Sequence, residues 1–147
     1  MRRIAKLTMV LVSVAALAGC GKEVGRVGFT APGTSTATVP LSAGEVSFWT
    51  DIDIEWQGDG ALGYVVELDQ GGTKVATATC NPLARLSVKS SWVETNLGAS
   101  HSRRGNGKMD CSVSVPSGGP TTVRATLAFG RKPPTFTLTR ADLVVRQ

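Results

Sequence analysis

The stretch VSFWTDIDIEW, residues 46–56, carries the clearest structural pattern in the sequence. Apolar side chains recur at every second position, interrupted only by a threonine, and they are Val46, Phe48, Ile52, Ile54 and Trp56. The positions between them hold Ser47, Trp49, Asp51, Asp53 and Glu55. Because successive side chains of a β-strand point to opposite faces, this alternation predicts a strand with one buried face and one face in water.

The same alternation continues on both sides of this strand. Turns rich in Gly, Asp, Asn and Pro separate further predicted strands at 36–41, 62–68, 73–80, 86–88, 109–115, 123–129 and from 136 onward. Residues 91–97 are ambiguous, and residues 98–108 (GASHSRRGNGK) are predicted to be a long polar loop or hairpin tip. A slip in phase at 140–142 predicts a β-bulge.

No long segment shows a helical period, so residues 36–147 are predicted to form one all-β domain. About seven to nine short antiparallel strands with closely spaced turns are typical of a β-sandwich, here jelly-roll-like, or of a barrel. A chain of this length is large enough to bury a core of its own.

The first twenty residues, MRRIAKLTMVLVSVAALAGC, have a different character. A basic head containing Arg2, Arg3 and Lys6 precedes an apolar run at 7–17. A membrane-spanning helix needs ~20 apolar residues, so this run is too short to remain as an anchor. A basic head, a short apolar core and small residues before a cleavage site are the marks of an export signal.

The last four residues of this segment, Leu17-Ala18-Gly19-Cys20, resemble the lipobox of bacterial lipoproteins. The resemblance implies that residues 1–19 are a cleaved signal peptide and that Cys20 carries a diacylglycerol on its thiol and commonly an acyl chain on its amine. Gly21 in place of Asp then favours the outer membrane by the sorting rule of enteric bacteria. The alternative is an ordinary secretory signal with a chance cysteine. Two or three acyl chains suffice for stable anchoring.

After cleavage the chain begins with a segment of unusual composition. Residues 20–35 are rich in Gly, Thr, Ser and Pro and show no sustained apolar period. They are predicted to be the lipidated cysteine followed by a flexible tether.

The charge balance bounds the class of partner. The precursor has sixteen basic and eleven acidic residues, and three of the basic residues lie in the signal, which leaves a net charge of +2. Binding to nucleic acid needs a concentrated basic surface, so this class is not expected.

Cysteine usage agrees with export. If Cys20 is acylated, Cys80 and Cys111 remain as one pair. An isolated pair in an oxidising compartment most often forms a disulfide, worth roughly 3 to 4 kcal/mol for a loop of about thirty residues in the chain-entropy model. A metal site or a redox pair is the alternative, although CxxC spacing is missing and His101 is the single histidine.

The carboxylates of the opening stretch are the first candidate site. On one face of a strand they would lie ~6.6 Å apart, which is wide for one hard cation. The main interpretation is therefore a solvated strand face, and no metal or cofactor is predicted. Trp49 beside Asp51, Asp53 and Glu55 forms a candidate ligand surface for an ion or a sugar.

The second candidate lies in the predicted loop. His101 would have to serve any Ser-His-Asp arrangement, but no catalytic motif surrounds it, so a solvated loop histidine is favoured. Arg103, Arg104 and Lys108 form a basic cluster that could meet phosphate or lipid headgroups, or be a soluble hairpin tip.

Together these features favour a lipid-anchored protein of the cell envelope whose β-sandwich has a non-catalytic binding or structural role. The expected partners are the membrane, through the N-terminal lipid, and an envelope protein or glycan. One alternative is a carbohydrate-binding module that uses the Trp49, Asp51, Asp53 and Glu55 surface, and a second is an envelope hydrolase.

Overall fold

The computed structural model describes residues 21–147, so the predicted signal peptide and Cys20 lie outside the described residues. This part of the chain forms nine strands: β1 (Glu23–Val27), β2 (Gly33–Leu41), β3 (Gly44–Gln57), β4 (Ala61–Gln70), β5 (Thr73–Cys80), β6 (Val88–Leu97), β7 (Ser100–Val115), β8 (Gly119–Arg131) and β9 (Thr135–Arg146). From residue 21 onward the structure contains no helix long and apolar enough to cross a bilayer.

The strands form two antiparallel sheets. The five-stranded sheet has the order β1-β9-β3-β7-β6, and the four-stranded sheet has the order β2-β8-β4-β5. The two sheets enclose a common hydrophobic core. The prediction of an all-β sandwich is therefore confirmed.

The core follows from the alternation in β3. The apolar side chains of residues 46–56 at even positions are at most 7% exposed. They face the apolar positions of β4 and β8, among them Leu62, Val66, Leu68, Val123 and Leu127. The one polar interruption, Thr50, is buried too and forms a 2.9 Å hydrogen bond with the hydroxyl of Tyr64. Burial raises the pKa of Tyr64, which stays neutral.

The segment predicted to be a flexible tether is instead part of the sandwich. β1 pairs with β9, and Lys22 and Gln147 exchange two backbone hydrogen bonds of 3.0 Å. Val27 and Phe29 are buried in the core. The glycine content reflects close packing rather than flexibility, because a Cβ at Gly25 would lie 2.0 Å from the side chain of a valine in β2. The prediction of a flexible tether over residues 21–35 is wrong, and the folded domain begins near residue 22 rather than 36.

The prediction of a long polar loop at residues 98–108 is also wrong. Residues 98 and 99 alone form the turn, and the rest begins β7, which lies between β3 and β6. Two glycines are required there by packing against the preceding chain. A Cβ at Gly105 would lie 2.4 Å from the carbonyl oxygen of Ser91, and one at Gly107 would lie 2.2 Å from the side chain of Leu86. The ambiguous residues 91–97 belong to β6.

Two further predictions can be compared with the structure. The register of β3 and β9 shifts where Asp53 pairs with Arg140 and Ile54 pairs with Leu138, which leaves Thr139 as an extra residue. The bulge therefore lies one residue before the predicted segment. Cys80 in β5 and Cys111 in β7 form the predicted disulfide, with Cα atoms 5.5 Å apart, and it links the two sheets covalently.

Candidate functional site

The candidate site lies on the outer face of the five-stranded sheet, the face turned away from the four-stranded sheet. The odd-numbered positions of β3 project there, because the even-numbered positions fill the core. The carboxylates of the opening stretch are therefore on the predicted face, but their neighbours differ from one end of the strand to the other.

Trp49 is buried, although the alternation in β3 predicts that its side chain faces water. Only 3% of its surface is accessible, and the guanidinium of Arg146 lies 4.0 Å from the centre of its ring. Lys108 and Val144 flank it on the neighbouring strands. A ring covered by a cation in this way is held by packing and by a cation–π contact. It offers no open face on which a sugar could stack.

Asp51 is the centre of a set of ion pairs. Its carboxylate accepts hydrogen bonds from Arg26 at 3.1 Å and from Arg140 at 3.2 Å. Arg26 also donates to Asp142 at 3.0 Å. It therefore bridges Asp51 and Asp142, two carboxylates that lie opposite each other in the register. Partial burial lowers the pKa of Arg26, but its hydrogen bonds to Glu23, Asp142 and Asp51 outweigh that effect and raise the pKa above its usual range.

Asp53 is paired as well. It lies opposite Arg104 of β7, and the two side chains form an ion pair of 3.3 Å. We call these neighbouring ion pairs together the ion-pair network. Glu23, Arg26, Asp51, Arg140 and Asp142 are linked to one another, and Asp53 and Arg104 form a separate pair beside them. Among residues 21–147, no three His, Cys, Asp or Glu side chains cluster in a way that could hold a metal ion.

Glu55 has different neighbours, although it continues the same series. It lies opposite Ser102 of β7 and Thr137 of β9, and its side chain is exposed. It borders a cavity of about 310 Å³ at the end of the sheet, which we call the distal groove. Its floor consists of two rows of side chains that cross β6, β7, β3 and β9 in that order. The first row is Thr95, Ser102, Glu55 and Thr137, and the second row is Leu97, Ser100, Gln57 and Thr135.

The polar side chains of the distal groove are free of protein partners. In the described part of the chain, none of the seven polar side chains of the two rows makes a side-chain hydrogen bond or an ion pair. At the main chain, the carbonyl of Ser102 accepts a hydrogen bond from the side chain of Arg103 at 2.8 Å. Leu97 is 73% exposed at the edge of the groove. The groove thus presents hydroxyl, amide and carboxylate groups together with Leu97, and Trp56, His101 and Phe136 line the same cavity.

His101 lies on the other side of the same strands. It is half-buried, and its ring is stacked on Trp56 with centroids 5.1 Å apart. Its Nδ1 is 2.8 Å from the side-chain oxygen of Asn96, which also accepts from Arg103 at 3.1 Å. Arg103 in turn forms a 3.1 Å ion pair with Glu94. The prediction of a solvated loop histidine is wrong, because the strand holds this side chain in a connected network.

The basic cluster predicted from the sequence is divided by the strand. Arg103 and Arg104 are adjacent in β7 and project to opposite faces, where each forms an ion pair with a carboxylate. Lys108 is four residues further along the strand, ~13 Å away, in the row of Trp49. The three cations do not meet at one surface.

A hydrogen bond lowers the pKa of Glu94, the carboxylate that pairs with Arg103. The indole N–H of Trp92 donates to Glu94 at 3.2 Å, and this contact lowers the pKa of Glu94 more than slight burial raises it. The side chains on this side of β6 and β7 are therefore paired with one another, unlike those of the distal groove.

Sequence reasoning identified Glu55 and missed its partners in the groove. Thr95 and Ser102 came from segments interpreted as ambiguous or as a loop, and neither belongs to a motif. The weak signal that was available is the alternation of hydroxyl side chains in β9, where Thr135 and Thr137 occupy one face.

No protein-family model matches this chain, and no curated protein is significantly similar to it in sequence. The meaning of the site must therefore be argued from its own geometry. A row of unpaired donors and acceptors on a rigid sheet is suited to hold a ligand through hydrogen bonds. Glu55, His101 and two serines, Ser100 and Ser102, line the cavity, but within residues 21–147 no side-chain hydrogen bond joins His101 to either serine or to Glu55.

Proposed function

We propose that the protein is a cell-envelope lipoprotein, acylated on Cys20, whose β-sandwich is a non-catalytic binding module. The anchor is supported by the lipobox resemblance of Leu17-Ala18-Gly19-Cys20 and by the disulfide between Cys80 and Cys111, since disulfides persist outside the cytoplasm. The binding role is carried by one observation, which is the unpaired polar lining of the distal groove.

The start of the folded domain limits the distance between the anchor and the sandwich. Lys22 is hydrogen-bonded to Gln147, so at most two residue steps, about 7 Å, connect Cys20 to the sheet. Arg146 pairs with Ser47 near one end of β3, and the groove lies near Gln57 at the other end. Ten residues of strand separate these ends by roughly 30 Å. The proposed anchor thus holds the sandwich against the bilayer with the groove directed away from it.

The non-catalytic role is supported by the placement of the groups that chemistry would need. The ring of His101 is engaged by Asn96 and Trp56. Glu55 has hydroxyl neighbours across both strands and no second carboxylate at the facing positions. His101 and two serines line the same cavity, but in the described part of the chain no hydrogen bond connects them, so the hydrolase alternative is not favoured.

The carbohydrate surface predicted around Trp49 has lost its main support. Trp49 is covered by Arg146, and Asp51 and Asp53 are paired with arginines. Glu55 alone of that set remains open to a ligand. Any binding role on this face therefore belongs to the distal groove.

The anchor is tested by Cys20→Ser in the native host. We expect the variant to remain unprocessed and to lose its stable attachment to the membrane, because the thiol that accepts the lipid is gone. Mass spectrometry of the wild-type mature N-terminus should find a diacylglyceryl cysteine. A wild-type protein with an unmodified N-terminus at another residue would contradict the proposal.

A further inference from the structure

We propose that the distal groove binds a neutral glycan. This inference rests on the binding role proposed above and adds the site and the class of ligand. It begins with the chemistry of the lining. Hydroxyl side chains both donate and accept hydrogen bonds, as the amide of Gln57 does, whereas ionised Glu55 only accepts. A sugar, whose hydroxyl groups donate and accept, matches such a lining.

The charge of the groove argues for a neutral ligand. No Lys or Arg side chain is among the lining residues, and the ring of the lining residue His101 is engaged by Asn96 and Trp56, so a phosphate or uronate would meet the carboxylate of Glu55 without a Lys or Arg partner. One carboxylate is also too few to hold a hard cation, which takes six to eight oxygen ligands in the case of calcium. A sugar hydroxyl donating to Glu55 would instead form a charge-assisted hydrogen bond, roughly twice as strong as a neutral one.

The shape of the groove fits a short length of chain. Its floor crosses four strands spaced ~4.8 Å apart, which gives a length of roughly 14 Å. The cavity of about 310 Å³ is near the lower limit of small-molecule sites, about 300 Å³. Leu97 at the edge offers an apolar surface to the C–H face of a sugar ring, while the hydroxyl rows bind its oxygen atoms.

An extended peptide is the main competitor, because β6 is an edge strand next to the groove. Three features of β6 oppose addition of a partner strand. Lys89 places a charge on this edge strand, Ser91 has a positive φ of 53°, and the register is broken between Ser90 and Val93. Charges and bulges of this kind protect edge strands from pairing. These features lie at residues 89–93, so they protect the part of the edge strand that precedes the groove, and the crosslinking experiment below distinguishes a peptide bound at its end from a glycan in the groove.

The test uses the full acylated protein in a zwitterionic detergent that contains no sugar. Isothermal titration calorimetry would be run with neutral glucose and N-acetylglucosamine oligosaccharides, and with a uronic acid oligosaccharide of equal length. We expect a neutral oligosaccharide to bind and the uronic acid oligosaccharide to bind much more weakly or not at all. Glu55→Gln and Thr137→Val should each lower the affinity about tenfold. Glu45→Gln, which alters an exposed carboxylate at the opposite end of β3, should leave it unchanged.

A second arm separates this inference from the broader proposal. A photo-crosslinking residue at position 137 in intact cells should capture glycan, and one at the exposed position 77 of β5 should not. Capture of a protein and no glycan at position 137 would retain the binding role and overturn the glycan assignment. Failure of every neutral oligosaccharide to bind, or equal binding of the uronic acid oligosaccharide, would overturn it as well. An unmodified Cys20 would contradict the anchor alone.

Discussion

The ion-pair network and the distal groove occupy the same face of the same sheet, yet they use their carboxylates in opposite ways. Asp51 and Asp53 each contact at least one arginine, and their side chains are 15% and 20% exposed. Glu55, one step further along β3, lies between a serine and a threonine and is open to solvent. Carboxylates at regular spacing in a sequence are therefore not one site. Their cross-strand neighbours decide which of them is available.

The difference also separates two roles in the molecule. The ion-pair network links β1, β9 and β3 through shared side chains, and its separate Asp53–Arg104 pair joins β3 to β7, so it contributes to holding the sheet together. Exposed single pairs contribute little, but partly buried networks with several hydrogen bonds contribute more. The groove makes no such contribution, because from residue 21 onward the polar side chains of its two rows form no side-chain hydrogen bond and no ion pair. The stabilising contacts and the proposed binding surface thus lie in neighbouring rows.

Replacing Trp49 tests where the packed region ends, and it has the largest expected effect. Trp49→Ala should lower the free energy of unfolding by about 3 to 5 kcal/mol, because the change leaves a cavity under Arg146. Urea unfolding followed by circular dichroism measures this loss. Trp92→Ala, which alters a half-buried ring on the edge strand, should cost less. A loss below about 0.5 kcal/mol for Trp49→Ala would instead indicate an exposed ring free for a ligand.

Replacing Asp51 tests the network itself. Asp51→Asn should lower the free energy of unfolding by about 1 to 2 kcal/mol, because Arg26 and Arg140 lose a charged acceptor. The loss should shrink in concentrated salt, which screens the wild-type pairs. Asp59→Asn is the matched control, since Asp59 is 89% exposed and lies 3.7 Å from Arg131, and it should change stability by less than about 0.5 kcal/mol. An equal effect of the two substitutions would mean that the network is not stabilising.

The fold was largely predictable because alternation reports burial directly. The period of two in β3, β4 and β8 indicates the buried face of each strand. The export signal, together with the single remaining pair of cysteines, predicts the disulfide. The errors arose at glycines. Gly25, Gly105 and Gly107 are glycine because another segment approaches their backbone, and composition cannot distinguish this cause from flexibility. As a result, β1 was interpreted as a tether and the start of β7 as a loop.

The site was less predictable, because it depends on strand pairing. The sequence placed the three carboxylates on one face, but it contained no information on which residue of β9 or β7 would lie opposite each one. Arg26 contacts Asp51 from a strand 25 residues earlier, and Arg140 does so from 89 residues later. Trp49 was expected to be exposed because it shares the parity of the carboxylates. The C-terminal Arg146 covers it, which only the pairing of β3 with β9 reveals.

The most direct test of this division measures Glu55→Gln beside Asp51→Asn in the same urea titration. The side chain of Glu55 makes no hydrogen bond and no ion pair in the structure from residue 21 onward, so its substitution should change the free energy of unfolding by less than about 0.5 kcal/mol. Asp51→Asn, four residues away on the same face, should then be less stable than Glu55→Gln by about 1 kcal/mol or more. Equal losses in the two variants, or a larger loss for Glu55→Gln, would contradict the separation of a paired region from an open groove.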